Sequence, residues 1–261
     1  MKTILHLLKI EWLKIKDYKA FRILLALYVV SIFGINYLVY EFQSNETLKS
    51  VESFLGNPFS FPAVWKTVSY ISGFLLFIPG LTVMTNMMNE YSFRTNRQNV
   101  IDGMSRSQFI TVKMIVALII ALLSTLAVFL SGLLFGTIAG KSFSFGGFIY
   151  ILWFFVQACA YIGVAFLAGM LFKRQGIGIG IYFLYAFILE NIASGLLNKY
   201  IRPIGYFLPL KSVNKLIEIP FGNIDLSESA IPDKPILAAI GIAYIIIISV
   251  FCKIQFEKND L

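Results

Sequence analysis

Histidine is nearly missing from this 261-residue chain, with His6 the single copy, and there are only two cysteines, Cys159 and Cys252. One histidine excludes a histidine-rich metal centre or proton relay. Both cysteines sit inside apolar runs, without the spacing of a metal site or the setting of a structural disulfide. Charge is scarce as well. Only 14% of the residues are Asp, Glu, Lys or Arg, against about 25% in a typical soluble domain. Long polar stretches are absent too: the longest segment outside the apolar runs, residues 199–235, has 37 residues, too few for an independent soluble core. What the chain has in excess is apolar surface, with 58% hydrophobic residues, 16% aromatic ones and a mean hydropathy of +0.78. A globular protein must cover itself with polar groups, so this composition reads as an integral membrane protein.

Six runs are long enough to cross a hydrocarbon core of about 30 Å, which takes about 20 helical residues. They fall at 21–40, 68–89, 112–137, 148–172, 176–197 and 236–254. Their continuity excludes barrel strands, which alternate over about 10 residues. The expected fold is an all-α integral membrane protein of six transmembrane helices in a single domain, 1–261. Lys and Arg set its orientation. With a cytoplasmic N-terminus, the inner segments hold fourteen basic and six acidic residues, the outer ones eight and seven. Lys173-Arg174 in a tight turn between spans is the sharpest vote. Both termini are therefore expected in the cytoplasm, and the formal charge of +8 is topological and calls for no nucleic acid.

Residues 1–20 lack a cleavage site after the first apolar run and do not read as a signal peptide. Ile4, Leu8, Trp12 and Ile15 recur at helical spacing with Lys2, Lys9 and Lys16 roughly opposite. That pattern predicts an amphipathic elbow helix on the inner leaflet, with Lys9, Trp12 and Lys16 at the membrane interface; packing on another protein is the alternative. Residues 199–235 carry five of the eight prolines and cannot form one helix. Short helical pieces capping the bundle and a plain external loop both fit.

Several motifs dissolve on inspection. Gly136 to Ser142 resembles a phosphate-binding loop but has three residues between its glycines, where four are needed. Gly132, Gly136 and Gly140 read instead as a small-residue stripe for close helix packing. Pro79-Gly80 predicts a kink midway along the second span. Asn36, Glu190 and Asn191 are polar groups at membrane depth, candidates for a translocation pathway or for bonds between helices. No nucleophile–base pair, paired carboxylates or metal motif survives, so the chain itself reads as non-catalytic.

The segment 90–106 differs from the other loops. Glu90, Arg94, Arg97, Asp102 and Arg106 alternate with Tyr91, Phe93, Val100, Ile101 and Met104, a mixture favoured at protein interfaces; positive flanking of a span is the plainer reading. The run Asn89-Glu90-Tyr91-Ser92-Phe93-Arg94-Thr95-Asn96-Arg97-Gln98, followed by Asp102 to Arg106 and Lys113, resembles the ABC-2 type transporter permease family. Tyr206-Phe207-Leu208-Pro209-Leu210 is similar to the family's Leu-Pro element. The resemblance implies a type V exporter-like permease in a bacterial cytoplasmic (inner) membrane, with residues 90–110 as a coupling segment and 199–235 as a re-entrant cap. It further implies that Glu90, Tyr91, Arg94, Arg97, Asp102 and Arg106 meet a separate cytoplasmic ATPase, which would hold ATP and Mg. A second permease chain, most simply an identical one, would complete the pathway. The competing readings are a secondary transporter or channel, for which no internal repeat is found, and a membrane scaffold.

Overall fold

In lipid a backbone N–H or C=O has no water to bond, so an apolar run must close its hydrogen bonds within itself, as a helix does. The computed structural model describes residues 4–44, 57–93, 95–140, 142–172, 174–220 and 231–258, and every regular element among them is helical. A short helix α1 (Ile4–Lys16) leads into α2 (Lys19–Ser44). Then come α3 (Val64–Gly73), α4 (Phe77–Ser92), α5 (Thr95–Ile101), α6 (Arg106–Ile138) and α7 (Ile149–Leu171). Next, α8 (Gln175–Phe183), a π-helical turn (Leu184–Leu189) and α9 (Glu190–Tyr200) form one continuous stretch. A 3-10 turn (Ile204–Phe207) and α10 (Pro209–Asn214) precede α11 (Lys234–Lys258).

Five helical stretches are long and apolar enough to cross a membrane, and α3 with α4 makes a sixth that is bent by 46°. The second span begins at Val64, four residues before its sequence-based start, and it breaks instead of kinking at Pro79. The cause is the proline ring, which removes the N–H that the Leu75 carbonyl would accept and crowds the turn before it. The chain tightens there: Leu76 N–H donates to the Gly73 carbonyl at 3.3 Å and Ile78 N–H to Leu75 at 3.0 Å. The bend therefore falls a turn ahead of the residue that produces it.

α7 is the central strut. It packs on α3, α4, α6 and α11, and 56% of its central window is buried, against 17% for α2. The apolar outer faces of α2, α6, α9 and α11 suit lipid tails. The glycine stripe of α6 does different work from that expected. Gly132 and Gly136 make room for aromatic rings, since a Cβ at Gly132 would crowd the Trp65 indole and one at Gly136 would overlap the Phe61 ring. Gly140 has φ +76° and open space around its Cβ position, so it lets the chain turn out of the helix. The stripe seats side chains from α3 and the residues just before it, where α3 packs on α6.

α1 is helical as expected, and one of its faces packs into the bundle. Leu7, Glu11 and Ile15 are buried, whereas Ile4 and Trp12 are exposed and Leu8 is half-buried. The helix is turned so that Glu11 points at α6, for a reason that lies in the charges described next.

Candidate functional site

At the end of the bundle occupied by α1, four helices converge on a cluster of buried charges. Glu90 closes the last turns of α4, Lys113 stands two turns into α6, and Glu11 lies midway along α1; each is less than 5% exposed. Lys113 Nζ donates to Glu90 Oε1 at 2.7 Å, to Asn86 Oδ1 at 3.0 Å, and to Glu11 Oε1. Lys14, one turn on from Glu11, reaches Glu90 Oε1 at 3.4 Å and Asn99 Oδ1 at 3.2 Å. The second carboxylate oxygen of Glu90 accepts from Thr95 Oγ1 at 2.6 Å and Asn99 Nδ2 at 3.3 Å, both on α5. Two carboxylates thus face two ammonium groups, and amide and hydroxyl groups take up remaining hydrogen-bonding positions. Such an arrangement persists in a low-dielectric interior because every charge has partners.

The local sequence explains how the side chains get there. Gly103, at φ +90°, turns the chain from α5 towards α6. Ser105 then caps α6: its Oγ accepts from Gln108 N–H at 3.2 Å, and Gln108 Oε1 accepts from Ser105 N–H at 3.0 Å, a capping box. Arg106, the first residue of α6, donates to the Glu257 carbonyl of α11 at 3.0 Å. Gln175 Nε2 donates to Asn89 Oδ1 at 2.6 Å and ties α8 to α4. The Ser-Arg pair therefore starts a helix and braces it against the last span.

The sequence-derived coupling residues divide between the two sides of this cluster. Glu90 lies inside it, and Tyr91 is half-buried beside it. Arg97 and Asp102 are exposed, with Asp102 accepting from Gln98 Nε2 at 3.0 Å, while Arg94 lies outside the described residues. Phe93 and Ile101 are 71% and 78% exposed, so the strip around α5 presents an aromatic, a cation and an aliphatic side chain together. Glu11, Lys14, Asn86 and Asn99 went unnoticed in the sequence. A usable signal existed: an acid spaced by four from Leu7 and from Ile15 interrupts an apolar stripe.

The candidate pathway residues lie elsewhere. Asn36 is fully buried, and its Nδ2 donates to the Ile32 carbonyl at 2.8 Å and to Ser72 Oγ at 3.1 Å, tying α2 to α3. Glu190 is buried at the far end, where Oε1 accepts from the N–H groups of Leu210 and Lys211, both at 2.6 Å. It thereby anchors the start of α10, whose first residue, Pro209, has no N–H to offer. Asn191 is exposed and donates to the Phe187 carbonyl at 2.7 Å. Lys9, Trp12 and Lys16 are all exposed on α1.

A bundle of membrane-length helices, locked at one end by buried charge beside an exposed short helix, defines a multi-pass membrane protein with a built junction between its spans. The family model of the ABC-2 family transporter proteins matches residues 7–189. The chain belongs to that family, whose members are membrane permeases of ABC transporters, and membership implies an ABC ATPase as partner. The comparison with curated proteins gave no match. The matched region runs from α1 to the π-helical turn and contains the whole charge cluster. The far-end elements from Glu190 onwards lie beyond it.

Proposed function

We propose that this chain is the permease subunit of an ATP-driven exporter in the bacterial cytoplasmic membrane, with both termini cytoplasmic. Two identical chains would enclose the pathway, and two separate ATPase subunits would hold ATP and Mg. The observation that carries this reading is the construction around α5: Phe93, Arg97 and Ile101 face outwards, while Thr95 and Asn99 bond inwards to Glu90. A partner gripping the outward strip would find arginine and aromatic anchors of the kind that dominate interfaces. Force on α5 would pass through Glu90 to α4, and through Lys113 to α6 and α1. For ATP to bias the spans, the ATPase must bind the two arrangements of this junction with different affinity.

Co-purification in nanodiscs, with ATP hydrolysis assayed on the same preparation, tests the reading. Wild type should retain an ATPase subunit. Arg97→Ala and Ile101→Asp, both at exposed positions, should each weaken that retention by about tenfold or more, the loss of one hot-spot residue. Glu90→Gln should keep the ATPase bound while hydrolysis no longer responds to the permease. If the intact, monodisperse protein retains no ATPase, the exporter reading falls and a channel or scaffold takes its place.

A further inference from the structure

The far end of the bundle holds a cavity of about 430 Å³, bordered by α9, the turn after it, and α10. Sites for small molecules span about 300–1,000 Å³. Four of its lining side chains are cationic: Lys199, Arg202, Lys211 and Lys215. These are all the basic residues between 198 and 220, and none of the lining residues is acidic. Glu190, which interacts electrostatically with Lys211, has Oε1 accepting from the α10 backbone. The other acid of this stretch, Glu218, is taken up by Lys66 at 3.1 Å and Lys234 at 2.7 Å.

Polar groups accompany the cations. Asn198 lines the cavity with an amide whose Nδ2 can donate to a ligand. Ser194 donates to the Gly205 carbonyl at 2.8 Å and fixes the turn against α9. Only glycine allows that approach, since a Cβ at Gly205 would overlap the Ser194 carbonyl. Lys215 lies over the Tyr206 ring at 5.7 Å, which holds its stem along the wall. The π-helical turn just before Glu190 shifts the helix face by an extra residue and sets α9 in register with α10. The cavity is therefore built by the fold, and its cations come from three separate pieces of chain.

We propose that this cavity binds a phosphate group, carried by the headgroup of an anionic lipid. Phosphate matches the cations in sign, Arg202 supplies a planar fork of donors suited to its oxygens, and the position at the end of the spans is headgroup depth. The lining residues all lie beyond the region matched by the family, and none belongs to the α5 junction. The site does not rest on the ATPase reading and fails or holds separately from it.

The test is native mass spectrometry of the delipidated full-length protein, titrated with phosphatidylglycerol, with phosphatidylcholine, and with glycerol 3-phosphate as the water-soluble fragment. Wild type should take up phosphatidylglycerol in preference to phosphatidylcholine, more weakly as salt rises. Lys199→Gln and Arg202→Gln, both at exposed positions, should each weaken uptake about fivefold. Arg202→Lys, which keeps the charge and loses the fork, should weaken uptake less than Arg202→Gln, and Lys258→Gln, at the other end, should change nothing. Glycerol 3-phosphate that binds wild type and not Arg202→Gln would confirm the phosphate site and identify a free phosphate as its source. Equal uptake of both lipids, or uptake unchanged in both neutralised variants, would overturn the proposal.

Discussion

Lys113 is a single ammonium serving two buried carboxylates, and that inequality makes it the most sensitive residue of the junction. Lys113→Met would leave Glu11 and Glu90 facing each other inside the protein, with only the partly exposed Lys14 to balance them. Removing one partner of a buried ion pair costs about 3–5 kcal/mol, so thermal unfolding in detergent should shift down sharply. Glu11→Gln should cost much less, because Glu90 keeps both lysines. Equal losses for the two variants would show that the cluster acts through packing alone. The sequence marked Glu90 and Lys113 through a family resemblance and left their meeting unstated. A lone acid in a basic helix reads as solvated, so the sequence does not single out Glu11, and only the rotation of α1 about its axis reveals its destination.

At the scale of elements, the six spans were legible because a membrane demands about 20 apolar residues in a row, a signal that needs no tertiary information. The break in the second span was legible only as a kink at Pro79, since a proline distorts the turn before it and the sequence does not say how far. The roles of the glycines were not legible at all. Gly169 of α7 faces the backbone of α4, and a Cβ there would lie 3.0 Å from the Met84 carbonyl oxygen and 3.2 Å from its Cα. Gly178 of α8 faces the flexible end of the Met88 side chain, with the Phe172 Cβ at ordinary contact distance. Gly169→Ala should therefore force the two helices apart and cost about 1–3 kcal/mol, whereas Gly178→Ala should be tolerated. Thermal midpoints of the two variants, measured side by side, decide it.

Across the whole molecule, the two ends are tied by different kinds of charge. At the α1 end Glu11, Glu90 and Lys113 are buried; at the far end Glu218 joins α3 and α11 through Lys66 and Lys234 from a side chain that is 54% exposed. The hydrogen bond from Lys234 is the largest influence holding the Glu218 carboxyl below its ordinary 4.5. A depressed folded pKa means that the tie is intact above 4.5 and is lost as pH falls through the lower folded value. Amide exchange of residues 216–219, corrected for intrinsic rates, should stay constant from neutral pH down to that point and rise below it. Glu218→Gln should show the faster exchange at every pH. The cap itself was half legible: its prolines excluded a single helix, while the inward packing of Leu210, Val213, Leu216 and Ile217 depends on neighbours that the sequence does not place.

The bend between α3 and α4 has a mechanical consequence. A straight rod would carry a push from α5 directly along the second span. A rod with a joint cannot, because compression at an elbow is shed sideways into whatever supports it. The support here is α7, against which α4 lies along its length. Under the proposed coupling, a stroke delivered at one face of the membrane would cross over to a neighbouring helix before reaching the other face, with α7 as its crankshaft.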